Sequence, residues 1–163
     1  QRVVSPDGKW LASGFGRGSP EFWDATASEE PLSLRGHTLT MLLAAISPSG
    51  RWIATGSYDK TLTIWNATTG QEFLKLVGHT APVSSVAFSS DGRKLVSGSG
   101  DYSGSGDHMI KVWDVATGLT LWTRNGGGNS MDECVAFSPD GSRVLVGKPL
   151  SVKDSLNGRT REP

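Results

Sequence analysis

Three groups of side chains in this 163-residue sequence have types and spacings that chemistry could use. His37, Thr55 and Asp59 combine a base, a hydroxyl and a carboxylate, the parts of a nucleophilic triad. Asp101, Ser103, Ser105 and Asp107 alternate like the start of a calcium loop, with Gly106 where such a loop turns sharply. Asn66-Ala67-Thr68 has the form of a glycosylation acceptor. Each group has a plainer explanation. The triad set recurs as His79, Ser97 and Asp107, and repetition favours a scaffold role, so no catalytic residue is assigned. The twelfth position of the calcium-like stretch is Val112 rather than an acid, so a polar hairpin is expected and no metal site. Asn66 stands where the next unit carries Asp114, which suits a turn. Gly14, Gly16 and Gly18 around Arg17 complete neither GxGxxG nor a phosphate loop, so turn geometry explains them too.

The elements that carry these residues recur because the chain repeats. Residues 5–10, SPDGKW, return as SPSGRW at 47–52, SSDGRK at 89–94 and SPDGSR at 138–143. The first two steps are 42 residues and the third is 49, which calls for an insertion in the third unit. A period near 42 suits a four-stranded propeller blade. In the second unit, strands are expected at 41–47, 52–57, 61–65 and 72–76, and in the third at 83–89, 95–99, 109–113 and 119–123. The first unit keeps only 2–5 of its opening strand, and the last keeps strands at 134–138 and 144–147. Turn clusters separate them.

Trp23-Asp24, Trp65-Asn66 and Trp113-Asp114 hold one phase, and Gly36-His37 and Gly78-His79 hold another. With Gly-His and Trp-Asp in this register, the chain resembles the WD-repeat β-propeller family over nearly all of its length. The expected fold is all-β, with blades of four antiparallel strands. Just under four blades are expected, forming an open arc of a larger propeller: residues 1–35, 36–77, 78–126 with an extended hairpin at 101–106, and a degenerate 127–163. In that last unit, residues 152–158 align with 112–118 and place Lys153 where the tryptophan belongs.

The resemblance implies a hydrogen-bonded set within each blade: His, Ser or Thr, Asp and Trp. It falls on His37, Thr55, Asp59 and Trp65, and again on His79, Ser97, Asp107 and Trp113. In the third unit, counting forward from Ser97 gives Asp101 and counting back from Trp113 gives Asp107; Asp107 is chosen because it keeps the short link to the third strand. The first unit offers only Ser13 and Trp23, with Arg17 at the Asp position, and the last has Gly128 and Val146 in place of His and Ser or Thr. The same family likeness implies a partner-binding rim at Thr40, Leu42 and Tyr58, at Pro82 and Ser84, and at Met131 and Glu133, with Tyr102 and His108 from the inserted hairpin. Aromatic residues and methionine are common in interface cores.

Trp23, Trp65 and Trp113 are expected between blades, Trp10 and Trp52 partly exposed at a blade edge, and Trp122 on an outer strand. Charge sets further bounds, since 16 basic and 16 acidic side chains give no net charge to draw nucleic acid or a membrane surface. No apolar run reaches transmembrane length, and the opening residues are not a basic-then-apolar leader. Cys134 is the single cysteine, which fits a reducing, cytoplasmic setting. The function expected is a non-enzymatic scaffold for other proteins, part of a larger multidomain protein, with no cofactor. Further partners would be the remaining blades of a longer chain, or a second copy docked on an open blade face. A propeller enzyme or small-ligand binder is the alternative.

Overall fold

The computed structural model describes residues 3–4, 8–13, 21–24, 32–100, 107–126 and 134–147. Among them there is no helix, and fourteen strands form four antiparallel sheets in chain order. The first sheet holds β1 (Val3–Val4), β2 (Trp10–Ser13), β3 (Glu21–Asp24) and β4 (Leu32–Ser33). The second holds β5 (Met41–Ile46), β6 (Trp52–Ser57), β7 (Leu62–Asn66) and β8 (Glu72–Leu76). The third holds β9 (Val83–Phe88), β10 (Lys94–Ser99), β11 (Met109–Asp114) and β12 (Thr120–Asn125). The fourth has only β13 (Cys134–Phe137) and β14 (Val144–Gly147) among the described residues. Among the described residues the sheets form an open arc and no closed barrel.

Each repeated Ser-x-x-Gly hairpin has a local cause. Ser47, Ser89 and Ser138 each use Oγ to accept the backbone N–H at the start of the next strand, from Trp52, Lys94 and Arg143, all at 2.9 Å. The glycine three residues on takes φ near 70°, the left-handed region that a side chain disfavours. The repeated motif is therefore a turn with its own serine cap.

The sheets stack through apolar faces. Phe22 and Leu34 meet Ile46, Ile53 and Trp65 between the first two sheets. Ala54, Leu62, Ile64 and Leu76 meet Leu95, Trp113 and Val115 between the next two. Val96, Ile110 and Val112 meet Val135, with Phe137 and Val144 alongside, at the last junction. Adjacent residues in a strand point to opposite faces, so each third-strand tryptophan faces the sheet before its own. Trp65 and Trp113 are accordingly 1 % exposed.

Trp23 differs from the expectation. It is only half-buried, because no described sheet precedes its own to cover that face, while its neighbour Phe22 is sealed against the second sheet. Trp52 is half-buried, stacks on Phe73 at 4.4 Å and carries the Arg51 guanidinium 4.9 Å above its ring. The side chain of Trp10 lies outside the described residues. Trp122 lies on β12, the outermost strand of its sheet. The strands differ from the sequence reading by a residue or two at their ends. A register shift at Leu42 and another between Gly98 and Ser99 are bulges that hydrophobic alternation did not signal.

Candidate functional site

In the second sheet, hydrogen bonds connect the segment before β5 and the β6–β7 turn to the core. Thr55 is fully buried on β6, across from Thr63 on β7. The indole N–H of Trp65 donates to Thr55 Oγ1 at 2.8 Å, and His37 Nε2 lies 2.8 Å from the same oxygen. On the other side of the ring, His37 Nδ1 is 2.9 Å from Asp59 Oδ2. One proton arrangement satisfies all of these: Nδ1–H donates to the carboxylate, so Nε2 accepts from the threonine hydroxyl, which accepts from the indole. Asp59 also accepts from the Thr38 N–H at 2.9 Å and from the Thr61 hydroxyl at 2.6 Å. Burial alone would raise its pKa, but the bonds from Thr61, Thr38 and His37 outweigh it and hold the carboxyl at about 2.

The third sheet repeats the arrangement with serine in place of threonine. Trp113 Nε1 donates to Ser97 Oγ at 2.8 Å, and His79 Nε2 is 2.8 Å from the same oxygen. His79 Nδ1 faces Asp107 Oδ2 at 3.3 Å, and the Thr80 N–H donates to that carboxylate at 2.7 Å. Asp107 is thus the acid that meets the histidine, the one reached by counting back from Trp113; Asp101 lies outside the described residues. Burial dominates at His79 and pushes it down to about 4, although Asp107 pulls the other way. Asp107 is itself held low: burial opposes this, while bonds from Ser99 and Thr80 and the nearby His79 favour the carboxylate.

Sequence reasoning missed two members of each set. Ser57 Oγ accepts the Asp59 N–H at 3.1 Å and donates to the Leu39 and Thr40 carbonyls, while Ser99 Oγ donates to Asp107. Both serines sit two residues beyond the hydroxyl of the network, so the repeat itself contained the signal. In the second sheet Thr61 closes the turn on Asp59, whereas Met109 at the corresponding place supplies only its backbone N–H, at 3.3 Å.

This arrangement can hold a blade together but cannot attack a substrate. The hydroxyl oxygen of Thr55 or Ser97 is capped by an indole N–H and sealed from solvent, so it has no line of approach to a carbonyl. No group of three or more His, Cys, Asp or Glu side chains among the described residues could hold a metal ion. Asn66 Oδ1 accepts the N–H groups of Thr68 and Thr69, as Asp114 Oδ1 does for Ala116 and Thr117, so both residues build the same turn.

The rim residues divide. Tyr58 is 39 % exposed, and its N–H donates to the Thr40 carbonyl at 3.0 Å, so the two are neighbours. Pro82 holds the same place in the third sheet, where its carbonyl accepts the Gly100 N–H. Leu42 and Ser84 are half-buried at the bulges of β5 and β9. His108 is a correction: it is 8 % exposed with both ring nitrogens unpartnered, at φ 44°. Lys60 takes the corresponding turn position at φ 70° and reaches solvent with its long chain; the shorter imidazole does not. Tyr102, Met131, Glu133, Arg17 and Gly128 lie outside the described residues, as does the side chain of Ser13. Val146 pairs with Val135 and supplies no hydroxyl to its sheet.

A family model described as WD domain, G-beta repeat matches residues 28–66 and 70–114, together just over half of the chain. The first stretch takes in β4 through β7 and the second β8 through β11, so a sequence repeat straddles two sheets. A comparison with curated proteins gives no match.

Proposed function

The chain belongs to the WD-repeat family, and from that premise we propose that it works as a non-enzymatic scaffold for protein–protein contacts, as one segment of a longer multidomain protein. WD-repeat propellers generally mediate contacts between proteins. The observation that carries the reading is the division of polar groups. The reactive-looking His, Thr, Ser and Asp side chains are spent on one another inside the blades, leaving Tyr58 open at the rim beside Thr40. We place the contact surface there, with Leu42, Pro82 and Ser84 along the same edge and Tyr102, Met131 and Glu133 as its continuation by sequence. His108 is left out because it is buried.

The partners are proteins, with no cofactor, nucleic acid or membrane surface invoked. The half-buried Trp23 at one end of the arc and the exposed Leu145 at the other offer faces for further blades or a second copy. A cytoplasmic setting belongs to the same proposal. With a partner isolated by pull-down, Tyr58→Ala is expected to weaken binding about tenfold, the scale of a modest interface anchor. Unchanged affinity in that variant and in Leu42→Ala would remove the rim from the reading.

A further inference from the structure

Beside the last sheet lies an open cavity of about 560 Å³ that the scaffold network does not use. Its floor is Val112 and Trp122 from the third sheet and Phe137 and Val144 from the fourth. Lys94, Arg124 and Arg143 line it as well, and among the described residues none of the three is ion-paired with a carboxylate. Val144, the first residue of β14, borders the cavity together with the Gly141–Arg143 turn, and among the described residues the edge of β14 away from β13 has no strand partner, which is where an added strand would pair.

The second sheet shows what this place does when it is filled. There the corresponding floor is Ile64 and Leu74, and it packs against Trp113 and Val115 of the next sheet. Matching the strand registers puts Trp52 where the third sheet has Lys94, and Leu76 where it has Arg124. The filled slot is apolar at both ends, whereas the open one is cationic at both ends. Residues 152–158 would bring Lys153 to it by sequence alignment, a fourth positive charge and thus a poor match.

We propose that this slot binds an extended segment of a partner protein that pairs with β14 and carries an acid–x–apolar–x–acid pattern. The spacing follows from the sheet. Lys94 pairs with Asp114, while Arg124 pairs with Ile110 and so stands level with Gly98, four residues along β10. At roughly 3.3 Å per residue the two cations are separated by about 13 Å along the strand direction, the span from i to i+4 on an added strand. Residues i, i+2 and i+4 of that strand share one face, so two carboxylates meet the cations as the central apolar side chain enters over Val112 and Trp122. Strand pairing supplies affinity, and the charges set the register.

The inference rests on the reading of the chain as a protein-binding scaffold, but it concerns a surface separate from the Tyr58 rim. The probe is a fluorescein-labelled Val-Glu-Val-Phe-Val-Glu-Val peptide, with a counterpart carrying lysine for glutamate, titrated into the full chain by fluorescence anisotropy. Saturable binding of the glutamate peptide is expected, weakened about tenfold or more in Lys94→Glu/Arg124→Glu. That variant should in turn bind the lysine peptide better than the unaltered protein does, a gain that an unfolded variant could not show. Tyr58→Ala should bind the glutamate peptide normally. No saturable binding, as a slot filled by the chain itself or by a second copy would give, overturns the proposal, and so does binding indifferent to the charge reversal. A Tyr58-dependent partner retained under either of those outcomes would leave the scaffold reading standing.

Discussion

Trp65 and Thr55 are joined by a 2.8 Å bond from indole N–H to hydroxyl, and that one oxygen also meets His37, so a single buried atom ties the third strand to the segment that enters the blade. Removing it leaves two buried polar groups without partners. Thr55→Val keeps the shape and deletes the hydroxyl, and should cost about 2–4 kcal/mol in urea denaturation, the sum of two orphaned groups. Thr55→Ser should cost under about 1 kcal/mol, since Ser97 makes the same two bonds in the next blade. A valine variant as stable as the serine one would show that the network contributes little.

Acid should weaken the fold through His79. Its folded pKa is about 4 against an ordinary 6.5, so between these values the unfolded chain binds more protons than the folded one. Stability is therefore fully present above pH 6.5 and drains away as pH falls toward 4, by up to about 3 kcal/mol. Asp59, held at about 2, adds a second loss only below its ordinary 3.8. Unfolding free energy measured from pH 7.5 to 4.5 should slope downward, and His79→Gln, though weaker throughout, should be nearly flat across that window. Equal slopes in both proteins would assign the acid sensitivity elsewhere.

The junction between the second and third sheets leaves no room at Gly56. A Cβ built there would stand 2.8 Å from Val83 Cγ1 and 3.3 Å from the Val83 carbonyl oxygen. Gly56→Ala must push one sheet off the next, at a cost of about 1–3 kcal/mol. Gly147→Ala is the control, because nothing stands within 4 Å of its added methyl. Thermal melts of the two variants should separate accordingly.

What could be read in advance follows from what repeats. The serine-capped turns and the His–hydroxyl–Trp set recur at fixed spacing, so the positions of one blade checked those of the next. Trp23 did not yield to this logic: it is half-buried where Trp65 and Trp113 are sealed, since among the described residues no further sheet covers its ring. His108 shares its turn position with Lys60, yet the imidazole is buried and the lysine exposed, a difference that the shared position does not signal. Lys94, Arg124 and Arg143 come to line one cavity only after two strands of the third sheet and the turn before β14 are in place. The bulges at Leu42 and Ser84 lie in runs whose residues are buried or half-buried on both faces, where no alternation marks an extra residue.

The same contrast between filled and open junctions sets where the chain opens first. β6 and β7 lie between two sheets, with Ile53, Ala54, Thr55, Leu62, Ile64 and Trp65 all buried. β14 has one strand neighbour among the described residues, and Leu145 is 63 % exposed on its outer face. Local opening follows buried apolar area, so amides of β13 and β14 should exchange with deuterium at least about tenfold faster than those of β6 and β7. Saturating the slot with the glutamate peptide should slow exchange in β14, whose free edge would then be paired, and leave β6 unchanged. Equal protection of β14 and β6 in the free protein would mean that the last sheet is closed by something other than the strands described, and the arc would then be complete at that end.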